Sequence, residues 1–221
     1  VYMRLGNLIH AVLERTERSA IEEGRERATV DEAMAVLDDE WADAGFGDDS
    51  VGIAWKRRAQ TLLENLYRNW PSSATPMDVE VELTLTIDDI DWRGRADRIE
   101  RVGDAITVVD YKSGNPASVG DAARSIQLAY YLLAADADPR IAAAGSVSAA
   151  EFWYPKKLLS NGITTRSFDT ANLDDVRSEM VEIGRRISLE DFPPTPGDAC
   201  RNCPVATSCP ALPDGAEAFV P

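Results

Sequence analysis

The chain is short of positive charge. Its 221 residues carry 23 Lys and Arg against 38 Asp and Glu, a formal net charge of −15. Affinity for nucleic acid comes mainly from Lys and Arg neutralising phosphates, so an isolated chain this acidic is expected to bind DNA weakly. Long apolar runs are also missing. None approaches the roughly 20 residues of a membrane span, and no signal peptide is expected before the first helical stretch. A cytoplasmic protein without a membrane partner is expected. Only three cysteines occur, all late, at 200, 203 and 209. An odd count excludes a framework of fully paired disulfides. There is one histidine, His10. No internal repeat is visible, which excludes a solenoid. What is present is ordinary: 44% hydrophobic and 28% charged residues, in a chain long enough to bury a sizeable core. The opening Val1-Tyr2-Met3 reads like the middle of a sequence, so a single domain over 1–221, cut from a larger protein, is expected.

Apolar stripes at helical spacing predict helices over 5–26, 29–44, 53–70, 122–137 and 173–189, with Asp31 a candidate cap for the second. Strict alternation predicts a strand over 79–87, with Val79, Val81, Leu83, Leu85 and Ile87 on one face and Glu80, Glu82, Thr84 and Thr86 on the other. Further strands are expected over 90–99, 105–112, 149–154 and 162–168. Helices on each side of a mixed sheet give an α/β class.

The chemistry concentrates on one predicted hairpin. Gly103-Asp104 is a glycine-first pair suited to a two-residue II′ turn. Closing the hairpin there makes Val102 face Ala105. Counting outward sets Asp97 opposite Asp110, with Lys112 two residues further on the same face. Like charges directly opposite each other destabilise a sheet. Two carboxylates beside a lysine therefore point to a cation between them. A divalent metal held by Asp97 and Asp110, with a water near Lys112, makes a site for hydrolysing phosphodiesters. The alternative is a surface hairpin with solvated acids. Arg93, Arg95, Arg98 and Arg101 cluster around Asp97 in sequence and are expected to make the local field more positive than the global one. On the helix that follows, Gln127 and Tyr131 lie four apart and share a face.

Four short motifs follow in order: Gly6-x3-His10-x2-Leu13-Glu14, Gly94-Arg95-x-Asp97-Arg98-Ile99, Asp110-Tyr111-Lys112-Ser113-Gly114, and Gln127-Leu128-x-Tyr130-Tyr131. Together they resemble the RecB-type branch of the PD-(D/E)XK nucleases, which includes Cas4 and the AddAB and AdnAB helicase-nucleases, over nearly the whole chain. Ala96 stands where the family's formal name has proline. The resemblance implies a restriction-endonuclease-like core, a mixed β-sheet flanked by helices, with a C-terminal cysteine-rich loop. It implies Asp97, Asp110 and the Tyr111 backbone carbonyl as ligands of Mg2+ or Mn2+, with His10 as a further ligand. Glu80 or Glu82 is a candidate outer carboxylate, exposed strand surface being the alternative for both. Lys112 is expected either to orient or deprotonate the attacking water or to neutralise charge on the scissile phosphate. Gln127 and Tyr131 are expected to position Lys112 or the DNA backbone.

The spacing Cys200-x2-Cys203-x5-Cys209 matches the last three iron–sulfur ligands of the Cas4 and AddB branch. Residues 193–212 are thus expected to be the C-terminal part of an iron–sulfur staple holding a 4Fe–4S cluster, its fourth thiolate upstream of Val1. Zinc on three cysteines and a Cys200–Cys203 disulfide are the alternatives. The implied function is a metal-dependent deoxyribonuclease acting on single-stranded DNA or a duplex end. It would be the nuclease module of a helicase-nuclease in double-strand break repair, with a helicase domain on the same polypeptide and a partner helicase-nuclease subunit. A motor that delivers the strand offsets weak intrinsic affinity. A stand-alone Cas4-like exonuclease, a small RNase or repair exonuclease, and a DNA-end-binding or scaffold module are the alternatives. A module that had lost catalysis would normally have lost Asp97, Asp110 or Lys112, and all three are present.

Overall fold

The computed structural model describes residues 1–212. They divide into two compact units, Val1–Met180 and a second that begins at Val181. In the first, five strands form one sheet in the order β1 (Thr75–Ile87), β2 (Ile90–Val102), β3 (Ala105–Tyr111), β4 (Ser146–Leu159) and β5 (Gly162–Ser167). Neighbours are antiparallel except β3 and β4, which are parallel. The sheet is therefore mixed, and the class is α/β as the sequence predicts. The crossover from β3 to β4 carries α4 (Val119–Ala123), α5 (Ile126–Ala137) and α6 (Pro139–Ala142). One face of the sheet is covered by α1 (Tyr2–Glu22), α2 (Val30–Trp41) and α3 (Ser50–Arg68), the other by α5. A last helix, α7, spans Leu173–Ser188. Among the described residues no helix is long and apolar enough to cross a membrane.

Two tight turns set the strand register. Asp88 and Asp89 both adopt the left-handed region, at φ 51° and 62°, which is the conformation of a two-residue I′ turn. Ile87 therefore pairs with Ile90. Gly103, at φ 59°, closes the next hairpin, and Val102 pairs with Ala105. Alternation along β1 buries Val79, Val81, Leu83 and Ile87 and exposes Glu82, Thr84 and Thr86.

Local signals override periodicity in two places. The helix expected over 122–137 is broken at Arg124 and Ser125, because the Ser125 hydroxyl accepts the Leu128 N–H and starts a new helix. The cap of α2 is Thr29 rather than Asp31. The Thr29 hydroxyl accepts from the Glu32 N–H while the Glu32 carboxylate accepts from the Thr29 N–H, a reciprocal pair that satisfies two orphan donors. Asp31 sits in the first turn, where it favours the positive end of the helix dipole.

The core on the three-helix face joins Leu5, Ile9, Val12 and Leu13 of α1 to Leu37 of α2, Leu63 and Leu66 of α3, and Val109, Tyr111 and Trp153 of the sheet. Inside it lies an ion network. Arg98 is fully buried; its Nη1 is 2.9 Å from Glu17 Oε2 and its Nε donates to Glu100 Oε2 at 3.0 Å. Its Nη2 donates to the Glu26 carbonyl, and its guanidinium lies over the Trp70 ring. The other Glu17 oxygen accepts from the Tyr67 hydroxyl and the Ala28 N–H. This corrects the expected arginine cluster. Adjacent strand residues point to opposite faces, so Arg98 turns away from Asp97 and is neutralised in the core. Arg101 is exposed and donates to the Ala144 carbonyl.

Candidate active site

The site lies where two strands part. β2 stays beside β1 along its length, but its ladder with β3 ends at Arg98 and Val109. β3 continues beside β4 to the pair Tyr111 and Trp153, and the Lys112 N–H donates to the Trp153 carbonyl. Asp97 and Asp110 thus stand one step past the end of the ladder, across a fork, rather than as the directly paired residues that counting predicts. Both are buried. Asp97 Oδ2 accepts the Tyr111 N–H at 2.6 Å, a side-chain acceptor where a ladder carbonyl would otherwise serve.

Helix α1 brings His10 to the fork. Its Nε2 lies 3.0 Å from the Tyr111 carbonyl and its Nδ1 lies 3.1 Å from Asp97 Oδ1. Carbonyl and carboxylate oxygens only accept, so in the absence of an ion both contacts are made only by the imidazolium. Burial lowers the His10 pKa. The hydrogen bond to Asp97 and the charges of Asp97, Asp110 and Glu80 together outweigh it, and the net shift is upward. A raised histidine contributes stability that is full below its ordinary value of 6.5 and is lost as pH rises through the folded value. The metal-free wild type is therefore expected to lose melting temperature relative to His10→Gln as pH rises above the ordinary histidine value of 6.5. Parallel melting curves for the two proteins across that rise would rule out the imidazolium.

Glu80 joins this group. It is a non-glycine residue at φ 53° inside β1, a conformation that costs on the order of 1–3 kcal/mol. The bend interrupts the ladder: Val79 pairs with Arg98 and Val81 with Ala96, but Glu80 and Asp97 between them are unpaired. Glu80, His10 and Asp97 each offer a ligand atom within 4.8 Å of the others. Burial, then the Asp97 charge, push the Glu80 carboxyl up despite His10 and Arg95. The sequence leaves Glu80 and Glu82 equivalent, and the structure selects Glu80, since the Glu82 side chain is 83% exposed. The missed signal is the Asp88-Asp89 turn, from which counting back sets Glu80 opposite Asp97.

Helix α5 supplies the other side. Gln127 Nε2 donates to Asp110 Oδ1 at 2.7 Å and to the Tyr131 hydroxyl at 2.9 Å, while its Oε1 accepts from Lys112 Nζ at 3.0 Å. The Tyr131 hydroxyl reaches the Arg95 carbonyl and Asp110 Oδ1. Lys112 Nζ stands 2.8 Å from Asp110 Oδ2 and over the Phe152 ring. The close approach of α5 requires Gly94: a Cβ there would come within 2.7 Å of the Tyr130 ring.

Burial, then the Asp97 charge, raise the Asp110 pKa against the pull of Lys112. Asp110 Oδ2 is buried without an aligned hydrogen-bond donor and has only the charge of Lys112 beside it. The Lys112 ammonium is the cation that offsets this buried oxygen. Glu80, Asp97 and His10 stand close enough to share one ion, and the Tyr111 carbonyl lies 3.0 Å from the same imidazole, a mostly oxygen donor set that suits Mg2+ or Mn2+. Asp110, engaged by Lys112, Gln127 and Tyr131, lies outside that ion-sized group.

The cysteines lie in the second unit. Cys200, Cys203 and Cys209 are free and half-buried, which removes the disulfide alternative. Among the described residues the cluster close enough to share one ion is His10, Glu80 and Asp97, so the three thiols do not meet at a zinc site. A 4Fe–4S cluster takes four thiolates in the usual case. Three are present, and they do not complete that group.

The family model of the PD-(D/E)XK nuclease superfamily matches residues 2–210. No curated protein matches the sequence.

Proposed function

The chain belongs to the PD-(D/E)XK nuclease superfamily, and from that membership we propose that it is a metal-dependent deoxyribonuclease of the RecB type. Its proposed setting is a helicase-nuclease that processes single-stranded DNA at double-strand breaks. The observation that carries the chemistry is the fork, where a lysine is held between a buried aspartate and a glutamine, beside a second aspartate.

Asp97, Asp110 and the Tyr111 carbonyl would hold Mg2+ or Mn2+, with His10 and Glu80 at its side. When bound, the ion supplies Lewis-acid polarisation of the phosphate and lowers the pKa of a coordinated water. The remaining work falls to side chains. Lys112 presents a fixed positive charge where negative charge builds on the scissile phosphate. Asp110 and Gln127 hold its ammonium in place before substrate arrives, so that less ordering is left to the reaction itself. Gln127 and Tyr131 occupy Asp110 Oδ1, which leaves Oδ2 directed at Lys112.

The acidic balance of the chain supports the tethered setting, because a strand fed by a motor arrives at high effective concentration. The intact set Asp97, Asp110 and Lys112 speaks against a scaffold without cleavage. The cysteine spacing supports a structural cluster only with a fourth thiolate supplied from outside this chain, and no chemical step is assigned to it.

The 221-residue chain is expected to cut a labelled single-stranded oligonucleotide in Mg2+ or Mn2+, to stop in EDTA, and to recover when metal is returned. Cleavage that persists in EDTA would overturn the metal requirement. Faster cleavage of RNA than of DNA of the same sequence would replace deoxyribonuclease with ribonuclease.

A further inference from the structure

The catalytic fork opens into a cleft of about 700 Å³ that runs along α1, lined among others by Tyr2, Gly6, Asn7, His10, Glu80 and Ser113. Tyr2, Gly6 and His10 are four residues apart in turn and share one helix face. At 1.5 Å per residue, Tyr2 stands about 12 Å from His10 along the axis. The two ends of the cleft differ in chemistry. The His10 end is acidic, with Glu80 and Asp97. The Tyr2 end is aromatic, and Trp55 and Arg58 pack on the Tyr2 ring.

The Tyr2 ring lines the cleft. Its edge rests on Trp55, with ring centroids 5.2 Å apart and planes at 85°. The Arg58 guanidinium lies 5.4 Å from both centroids. Arg58 has no carboxylate within ion-pair distance among the described residues, whereas Arg95 beside the fork is tied to Glu80 and Glu82. In a chain of net charge −15, an unneutralised arginine thus packs on the ring that lines one end of the cleft leading to the fork.

We propose that Tyr2, Trp55 and Arg58 form a stacking subsite for a base of the single strand whose backbone is cut at the fork. Proteins that hold single strands combine aromatic faces with a positively charged groove, and the π-face of any base suffices. A duplex keeps its bases stacked inside, so the subsite favours an unpaired strand. A span of about 12 Å leaves room for a few nucleotides between the stacked base and the scissile phosphate. This rests on the nuclease reading and adds the place where its single strand is gripped.

The test separates grip from chemistry. Binding of a fluorescent oligothymidine of about 12 nucleotides, within known single-strand site sizes, is followed by anisotropy in EDTA for wild type, Tyr2→Ala, Arg58→Ala and Tyr2→Phe. Cleavage in Mn2+ is followed on the same oligonucleotide and on bis(p-nitrophenyl) phosphate, which is too small to reach Tyr2. Both alanine variants are expected to weaken binding about tenfold and to raise KM alike, with kcat and the small-ester rate unchanged and Tyr2→Phe near wild type. Unchanged affinity in Tyr2→Ala and Arg58→Ala would overturn the subsite. An equal loss on an abasic oligonucleotide would also overturn it, since phosphates alone would then carry the contact. Failure of the wild type to cut either substrate would instead sink the nuclease reading, and the anisotropy arm still decides the subsite.

Discussion

Asp110→Ala is expected to lower cleavage by on the order of 10³-fold or more, with the fold retained. The residue acts at three points at once. It is a proposed metal ligand, its Oδ2 faces Lys112, and its Oδ1 takes donors from Gln127 and Tyr131. Truncation removes the ligand and frees the lysine in one change. The effect on stability has a different sign. Burial and the Asp97 charge raise the folded pKa of Asp110 above its ordinary 3.8. Its stability contribution is therefore full below that value and is lost as pH rises through the folded pKa. At neutral pH without metal the ionised carboxylate is a burden, so Asp110→Ala should melt close to wild type or above it. Removing the carboxylate should also weaken the gain in melting temperature that Mn2+ gives the wild type. An Asp110→Ala protein that folds and cuts at the wild-type rate would remove this residue from the active site.

Arg98→Met is expected to cost about 3–5 kcal/mol of folding stability, the range for breaking a buried ion pair by removing one partner. Methionine fills part of the arginine volume but leaves Glu17 and Glu100 facing each other without a cation. Glu17 is fully buried and Glu100 nearly so, so neither carboxylate can turn to water. Glu17→Gln should cost less, because its amide oxygen still accepts from the Tyr67 hydroxyl and the Ala28 N–H. Urea denaturation checks both through the midpoint at constant slope. A loss under about 1 kcal/mol for Arg98→Met, the value of an exposed pair, would mean that the network is solvated. Below its melting temperature Arg98→Met should still cleave, since the arginine faces the helical layer and not the fork.

The site was legible in the sequence where it depends on short-range geometry. Gly103 closes the hairpin, and a strand period of two then brings Asp97, Asp110 and Lys112 together. Gln127 and Tyr131 share a face because helical neighbours lie four apart. The α1 stripe, next to which His10 sits, is readable for the same reason. Signals that compete locally were harder to rank. Ser125 as a cap beat an unbroken helix over 122–137, and Thr29 beat Asp31, because each side chain captures an N–H that the helix leaves orphaned.

Other features needed long-range contacts. The β2–β3 ladder stops at Arg98 and Val109 because β3 follows β4 while β2 follows β1. Glu80 enters the site through a left-handed backbone bend in β1, which no residue preference announces at a glutamate. Arg98 looks like a surface arginine in the sequence, but Glu17 on α1, 81 residues earlier in the chain, holds it in the core.

The order and spacing of its acidic, lysine, glutamine and tyrosine residues by themselves determined that this chain folds around a two-carboxylate hairpin with a nuclease's motifs. They act over one turn or one strand pair, where backbone geometry alone sets which side chains meet. Only the tertiary structure decided where the sheet splits, which glutamate joins Asp97 and His10 at the fork and which arginine is neutralised in the core. Those outcomes depend on elements far apart in sequence competing for the same buried space, and on how burial charges each ionised group for losing water.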